Sequence, residues 1–78
     1  MAVKVEISSS LRRWVPDYDP SRGVLLEAEG LNVAQLVERL GLPAEEVRLV
    51  MVNRRAAGPD QVLADGDLVG LFPSLTGG

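Results

Sequence analysis

The chain has 78 residues, enough for one domain, with 46% apolar residues and a net charge of −3. It has neither cysteine nor histidine, which excludes disulfides, thiolate metal sites and the commonest acid–base side chain near neutral pH. The pI near 4.7 argues against nucleic acid as a partner, since the pairs Arg12-Arg13 and Arg54-Arg55 are too small a basic patch to hold phosphates. No apolar run approaches a membrane span or the core of a signal peptide, so a cytoplasmic protein is expected.

Val3-Lys4-Val5-Glu6-Ile7 alternates apolar and charged residues and predicts a half-buried strand with the apolar set inward. A long polar connection runs from Ser8 to Arg22. Within it Leu11, Trp14 and Val15 have the spacing of one helical turn, stopped by Pro16. A second strand is predicted from Val24 to Glu29, between Gly23 and Gly30, forming a long-looped hairpin with the first. Asn32 is a good helix N-cap, and Gln35 three residues later completes a capping box. Val33, Leu36, Val37 and Leu40 form one apolar face, and Gly41 ends the helix. Pro43 to Glu46 reads as a short turn.

Val47 to Asn53 predicts a strand, and alternation puts Val47, Leu49 and Met51 on one face and Arg48, Val50 and Val52 on the other. Ala56 to Leu63 has room for one short edge strand. Asp65-Gly66-Asp67 is a tight turn, and Leu68 to Phe72 is the last strand, ended by Pro73 because proline cannot donate to a ladder. This order predicts an α+β fold: a mixed sheet of four or five strands with one main helix on one face, and the two terminal strands parallel at its centre. That is the β-grasp arrangement. It gives a domain over residues 1–72 and a flexible tail over 73–78.

Familiar nucleophile–base pairs are absent without His or Cys. Asp65 and Asp67 offer too few oxygens for a magnesium or calcium site and read as turn residues; Glu45-Glu46 reads as a solvated turn. Trp14 and Tyr18 read first as a plug for one end of a small core, and second as a binding platform. If the helix covers Val3, Val5, Ile7, Leu49, Met51, Val69 and Leu71, the other face carries Lys4, Glu6, Arg48, Val50, Val52, Leu68, Gly70 and Phe72. An aromatic and three aliphatics with a charged margin suit a partner interface; the alternative is that the long loop folds over them.

The last two residues, Gly77-Gly78, offer another kind of chemistry. Two glycines can lie extended in a narrow channel and leave a terminal carboxylate unhindered. Adenylation would convert that carboxylate into an acyl phosphate open to attack by sulfur or an amine. A partner must supply the ATP site, because the chain has no phosphate-binding loop motif.

"VN" after a strand, then "LADGDLVGLFPSLTGG", resembles the sulfur-carrier proteins of the ubiquitin-like β-grasp superfamily, the MoaD/ThiS family. The likeness is closest to the small subunit of molybdopterin synthase and more distant to thiamine-pathway carriers. It is specific over residues 47–78; Ser74 stands where the molybdopterin branch commonly has proline. The resemblance implies a non-enzymatic carrier. Gly78 would bear the carboxylate that a ubiquitin-activating-type enzyme adenylates and that sulfur transfer converts to a thiocarboxylate. Gly77 would thread the channel, and Phe72 would face the partner, with Pro73, Leu75, Val50, Val52 and Leu68 completing the interface. The chain itself would bind no cofactor, since ATP and magnesium belong to the activating enzyme. The second partner implied is a sulfur-accepting synthase large subunit. The alternatives are a carrier for thiamine or another pathway, and a ubiquitin-like modifier conjugated through Gly78.

Overall fold

The computed structural model describes residues 2–28 and 30–73. Its first strand, β1 (Val3–Ile7), is buried at Val3, Val5 and Ile7 and exposed at Lys4 and Glu6, as the alternation dictates. The other elements are β2 (Val24–Leu26), α1 (Val33–Arg39), β3 (Leu49–Val52), β4 (Arg55–Ala56) and β5 (Leu68–Phe72). They form one mixed sheet in the order β2-β1-β5-β3-β4. β1 runs parallel to β5 with Val5 opposite Val69 and Ile7 opposite Leu71, and all other pairings are antiparallel. This is the ubiquitin-like β-grasp fold: the parallel pair sits at the centre and the helix covers one face.

The helix starts where the sequence says it should. The Asn32 carboxamide oxygen accepts from the Gln35 N–H at 2.9 Å, and the Gln35 side-chain oxygen accepts from the Asn32 N–H at 2.9 Å. Val33, Leu36 and Val37 are buried against the sheet, and Gly41 closes the helix at φ +76°. Leu36, Ile7, Val69 and Leu71 meet in the core, joined by Leu63 and Leu11 from loops.

Two strands are shorter than alternation suggests. β2 stops at Leu26 because the chain then dives inward at Ala28, fully buried. Beyond it, the Gly30 N–H donates to the Leu63 carbonyl, and the Leu63 N–H donates to the Leu31 carbonyl. That segment is therefore tied to Leu63 and not to β1. β3 starts at Leu49 because Val47 is still in the preceding turn, its N–H bonded to the Ala44 carbonyl. The short edge strand lies at Arg55–Ala56, and Val62 adds a single bridge to Asn32.

The long connection packs one end of the core. It makes a 3₁₀ turn over Ser9–Trp14 that buries Leu11. The Tyr18 hydroxyl accepts from the Ile7 N–H at 3.1 Å, and Arg12 Nε donates to the Ile7 carbonyl at 2.8 Å. Trp14 and Tyr18 pack partly buried against the core, as a plug does. Ser21 makes this loop's own clasp: its hydroxyl, then its N–H, bond the Asp19 carboxylate and hold that acid below its ordinary pKa.

The Asp65-Gly66-Asp67 turn is built from hydrogen bonds. Gly66 takes φ +87°, a conformation open to glycine at no steric cost. Asp65 accepts from the Ala2 N–H at 2.7 Å. Asp67 accepts from the Ala64 N–H at 2.8 Å and from the Asn53 side-chain amide at 2.9 Å. Asn53, at φ 52° with Arg54 at φ 70°, turns the chain from β3 to β4, and its carboxamide oxygen accepts from the Leu68 N–H at 3.0 Å. Asp67 and Asn53 thus clasp the entry of β5 to the exit of β3. Replacing Asp67 with Ala leaves two donors unpaired in a partly exposed setting and is expected to cost about 1–3 kcal/mol, read from chemical denaturation. Asp65→Ala, at a single exposed contact, is expected to cost less.

Candidate functional site

The sheet face opposite the helix stays open at its middle, while the long connection borders one end, where Arg12, Tyr18 and Pro20 share a hollow with Glu6 and Phe72. Period-two alternation on the central strands decides who stands on it. From β5 come Leu68, Gly70 and Phe72, all partly exposed, while Val69 and Leu71 point to the helix with no exposure. From β1 come Lys4 and Glu6, and from β2 comes Leu25, 72% exposed and paired with Lys4.

β3 corrects the sequence reading. Val50 and Val52 were expected on this open face, but they are 8% and 7% exposed on the helix side. They cannot line a surface interface without unfolding the core. Register is the cause: Val50 stands opposite Leu71 and Val52 opposite Val69, so both share the core side of β5. Leu49 and Met51 take the open face instead, Leu49 opposite Phe72 and Met51 opposite Gly70. Arg48 moves with Val50 to the helix side, beside a cleft edged by Val33 and Val37. Because Val47-Arg48-Leu49-Val50-Met51-Val52 has apolar residues on both faces, local alternation could not choose between them.

Leu68 and Phe72 do stand on the open face, and Pro73 follows directly. Leu75, Gly77 and Gly78 lie outside the described residues. A depression of about 280 Å³ sits at the middle of the face, with Gly70 at its centre, Met51, Leu68 and Phe72 as apolar walls and Glu6 and Arg54 as charged ones. Arg54 was not expected here; the left-handed turn at Asn53-Arg54 swings it to this side. The face offers apolar contact with opposite charges at its margin, a composition suited to docking a protein. It holds no nucleophile–base pair. The carboxylates of Asp65 and Asp67 are engaged by the main-chain and Asn53 donors already described.

No helix among the described residues is long and apolar enough to cross a membrane. Residues 1–77 match the family model described as Mut7-C ubiquitin. Among solved structures, the chain is similar to a protein described as molybdopterin converting factor, subunit 1, from Pyrococcus furiosus. The two are 26% identical with a TM-score of 0.71, over 96% of this chain and 99% of that one. The fold is also similar to SAMP1 from Haloferax volcanii, 24% identical with a TM-score of 0.69 over 100% of both chains. A second structure, described as H. volcanii small archaeal modifier protein 1, gives 19% identity and a TM-score of 0.71 over 95% of this chain and 98% of that one. No curated protein matches the chain.

Proposed function

The chain belongs to the Mut7-C ubiquitin family, and from that premise we propose that it is a sulfur carrier acting through the terminal carboxylate of Gly78. A ubiquitin-activating-type enzyme, supplying the ATP and magnesium site, joins AMP to that carboxylate and releases pyrophosphate. Sulfide-level sulfur (HS⁻) from a donor then attacks the acyl carbon, AMP leaves with its oxygen, and Gly78 ends as a thiocarboxylate. A synthase large subunit takes the sulfur, with molybdopterin formation as the pathway proposed. The likeness to a molybdopterin converting factor subunit supports that pathway.

The observation that carries this reading is the course of β5. The strand is locked between β1 and β3, it places Leu68 and Phe72 on the open face, and it ends six residues before Gly78. Docking on the face therefore delivers the segment that follows to the same partner. The protein's own part is binding and presentation, and the reactive group is main chain. This answers how a chain with neither His nor Cys takes part in acyl chemistry.

The test is direct. The protein is incubated with a ubiquitin-activating-type enzyme, ATP and a sulfur donor, and its intact mass is measured. A gain equal to one oxygen replaced by sulfur supports the carrier. An unchanged mass alongside active enzyme, shown by its turnover of a known carrier, sinks it. The likeness to archaeal modifier proteins favours one second reading, conjugation of Gly78 to a lysine amine. Isopeptide-linked adducts in cells, absent when Gly77 and Gly78 are deleted, would support that modifier role.

A further inference from the structure

Gly70 sits in the middle of a strand, where glycine is a poor choice: it has no side chain to pack and loses the most freedom on folding. Neither a turn nor a positive φ calls for it. The space above it has another user. A Cβ placed on Gly70 would lie 3.0 Å from Phe72 Cε2 and 3.3 Å from Phe72 Cζ. The Phe72 ring is therefore folded back along β5, with its Cε2–Cζ edge turned toward residue 70. Met51 and Glu6 flank the same position from the neighbouring strands.

From this contact we infer that Gly70 is a specificity-determining residue of the open face, one that acts through Phe72. Its missing side chain leaves room for that ring edge and keeps the depression open. Any methyl at residue 70 displaces the ring, fills the floor, and changes the surface that the activating enzyme meets. The atoms that must give way are the far end of a half-exposed side chain and not backbone, so the fold tolerates the change. Phe72 is also the last residue of the sheet, so the ring's seat fixes the shape of the face where the chain leaves it. The role in docking rests on the carrier reading; the seat of the ring does not.

Two measurements separate those layers. In the NMR spectrum of the whole protein, a ring edge this close to residue 70 gives nuclear Overhauser contacts between a Gly70 Hα and the Phe72 Hε and Hζ protons. Phe72→Leu is expected to remove those ring contacts, and their absence in the native protein overturns the inference outright. The second measurement is ATP–pyrophosphate exchange by a ubiquitin-activating-type enzyme with native protein, Gly70→Ala and Gly70→Val. Gly70→Ala is expected to keep a cooperative melt and kcat while raising KM about tenfold, with a larger rise for Gly70→Val. An unchanged KM in both folded variants overturns the specificity role. Exchange absent even with the native chain sinks the carrier reading and the docking role with it, while the NMR result still decides where the ring lies.

Discussion

Deleting Gly77 and Gly78, or adding a single alanine after Gly78, is expected to reduce thiocarboxylate formation to background and leave the thermal midpoint unchanged. Intact mass after incubation with enzyme, ATP and sulfur donor reads the first effect, and a circular-dichroism melt reads the second. On the carrier reading, the reaction needs a free carboxylate at a fixed distance from the open face. Deletion shortens that distance by two residues, about 7 Å of extended chain, and extension moves the carboxylate past the nucleotide. A displacement of that size is far beyond what an acyl-transfer geometry tolerates. The fold is expected to be insulated from both changes, because the last pairings among the described residues are Leu49 with Phe72 and the Arg48 N–H to the Phe72 carbonyl at 2.9 Å. Sulfur loading that survives either change would remove Gly78 as the reacting group.

Val50→Asp and Met51→Asp, neighbours in sequence, are expected to fail in opposite ways. Val50 is 8% exposed, pressed between Leu71 and the helix side of the core. A carboxylate there costs several kcal/mol after relaxation. A chain of 78 residues has roughly 4–12 kcal/mol of stability in all, at 0.05–0.15 kcal/mol per residue. Val50→Asp is therefore expected to lose its cooperative melt at neutral pH, or most of its midpoint. Met51 stands partly exposed on the open face, and a surface change of this kind moves stability by about 0.5 kcal/mol. Met51→Asp should fold, yet place a charge in the apolar wall of the docking depression and cut sulfur loading. A stable Val50→Asp with an unfolded Met51→Asp would reverse the assignment of faces.

These two residues also show where sequence stops being readable. The β1 pattern has charged residues at every second position, so only one face can be buried, and alternation decides it. In β3 both faces are apolar. The deciding quantity is the pairing with β5, made by residues about twenty positions away, and no local pattern contains it. The helix was legible because its signals are local: the Asn32 cap, Gln35, the period of the apolar face and Gly41 all lie within ten residues. Ala28 and Leu63 were harder to place in the core because they reach it from loops, where no period marks them, while Leu11 carried the spacing of a single helical turn only. The open face was half legible. Leu68 and Phe72 follow from β5 alone, whereas Leu49, Met51 and Arg54 required the register and the turn that follows it. Gly77 and Gly78 were read by chemistry and likeness, and they lie beyond the residues whose structure is described.

The position of β5 has a mechanical consequence. A force applied at Phe72 along the strand axis meets a strand bonded on one side to β1 and on the other to β3. The hydrogen bonds of both ladders lie across the direction of pull, so they bear the load together and do not open one after another. An edge strand under the same tension has a single ladder to resist it. The sheet thus works as an anchor plate: both ladders must shear together before β5 can leave the domain.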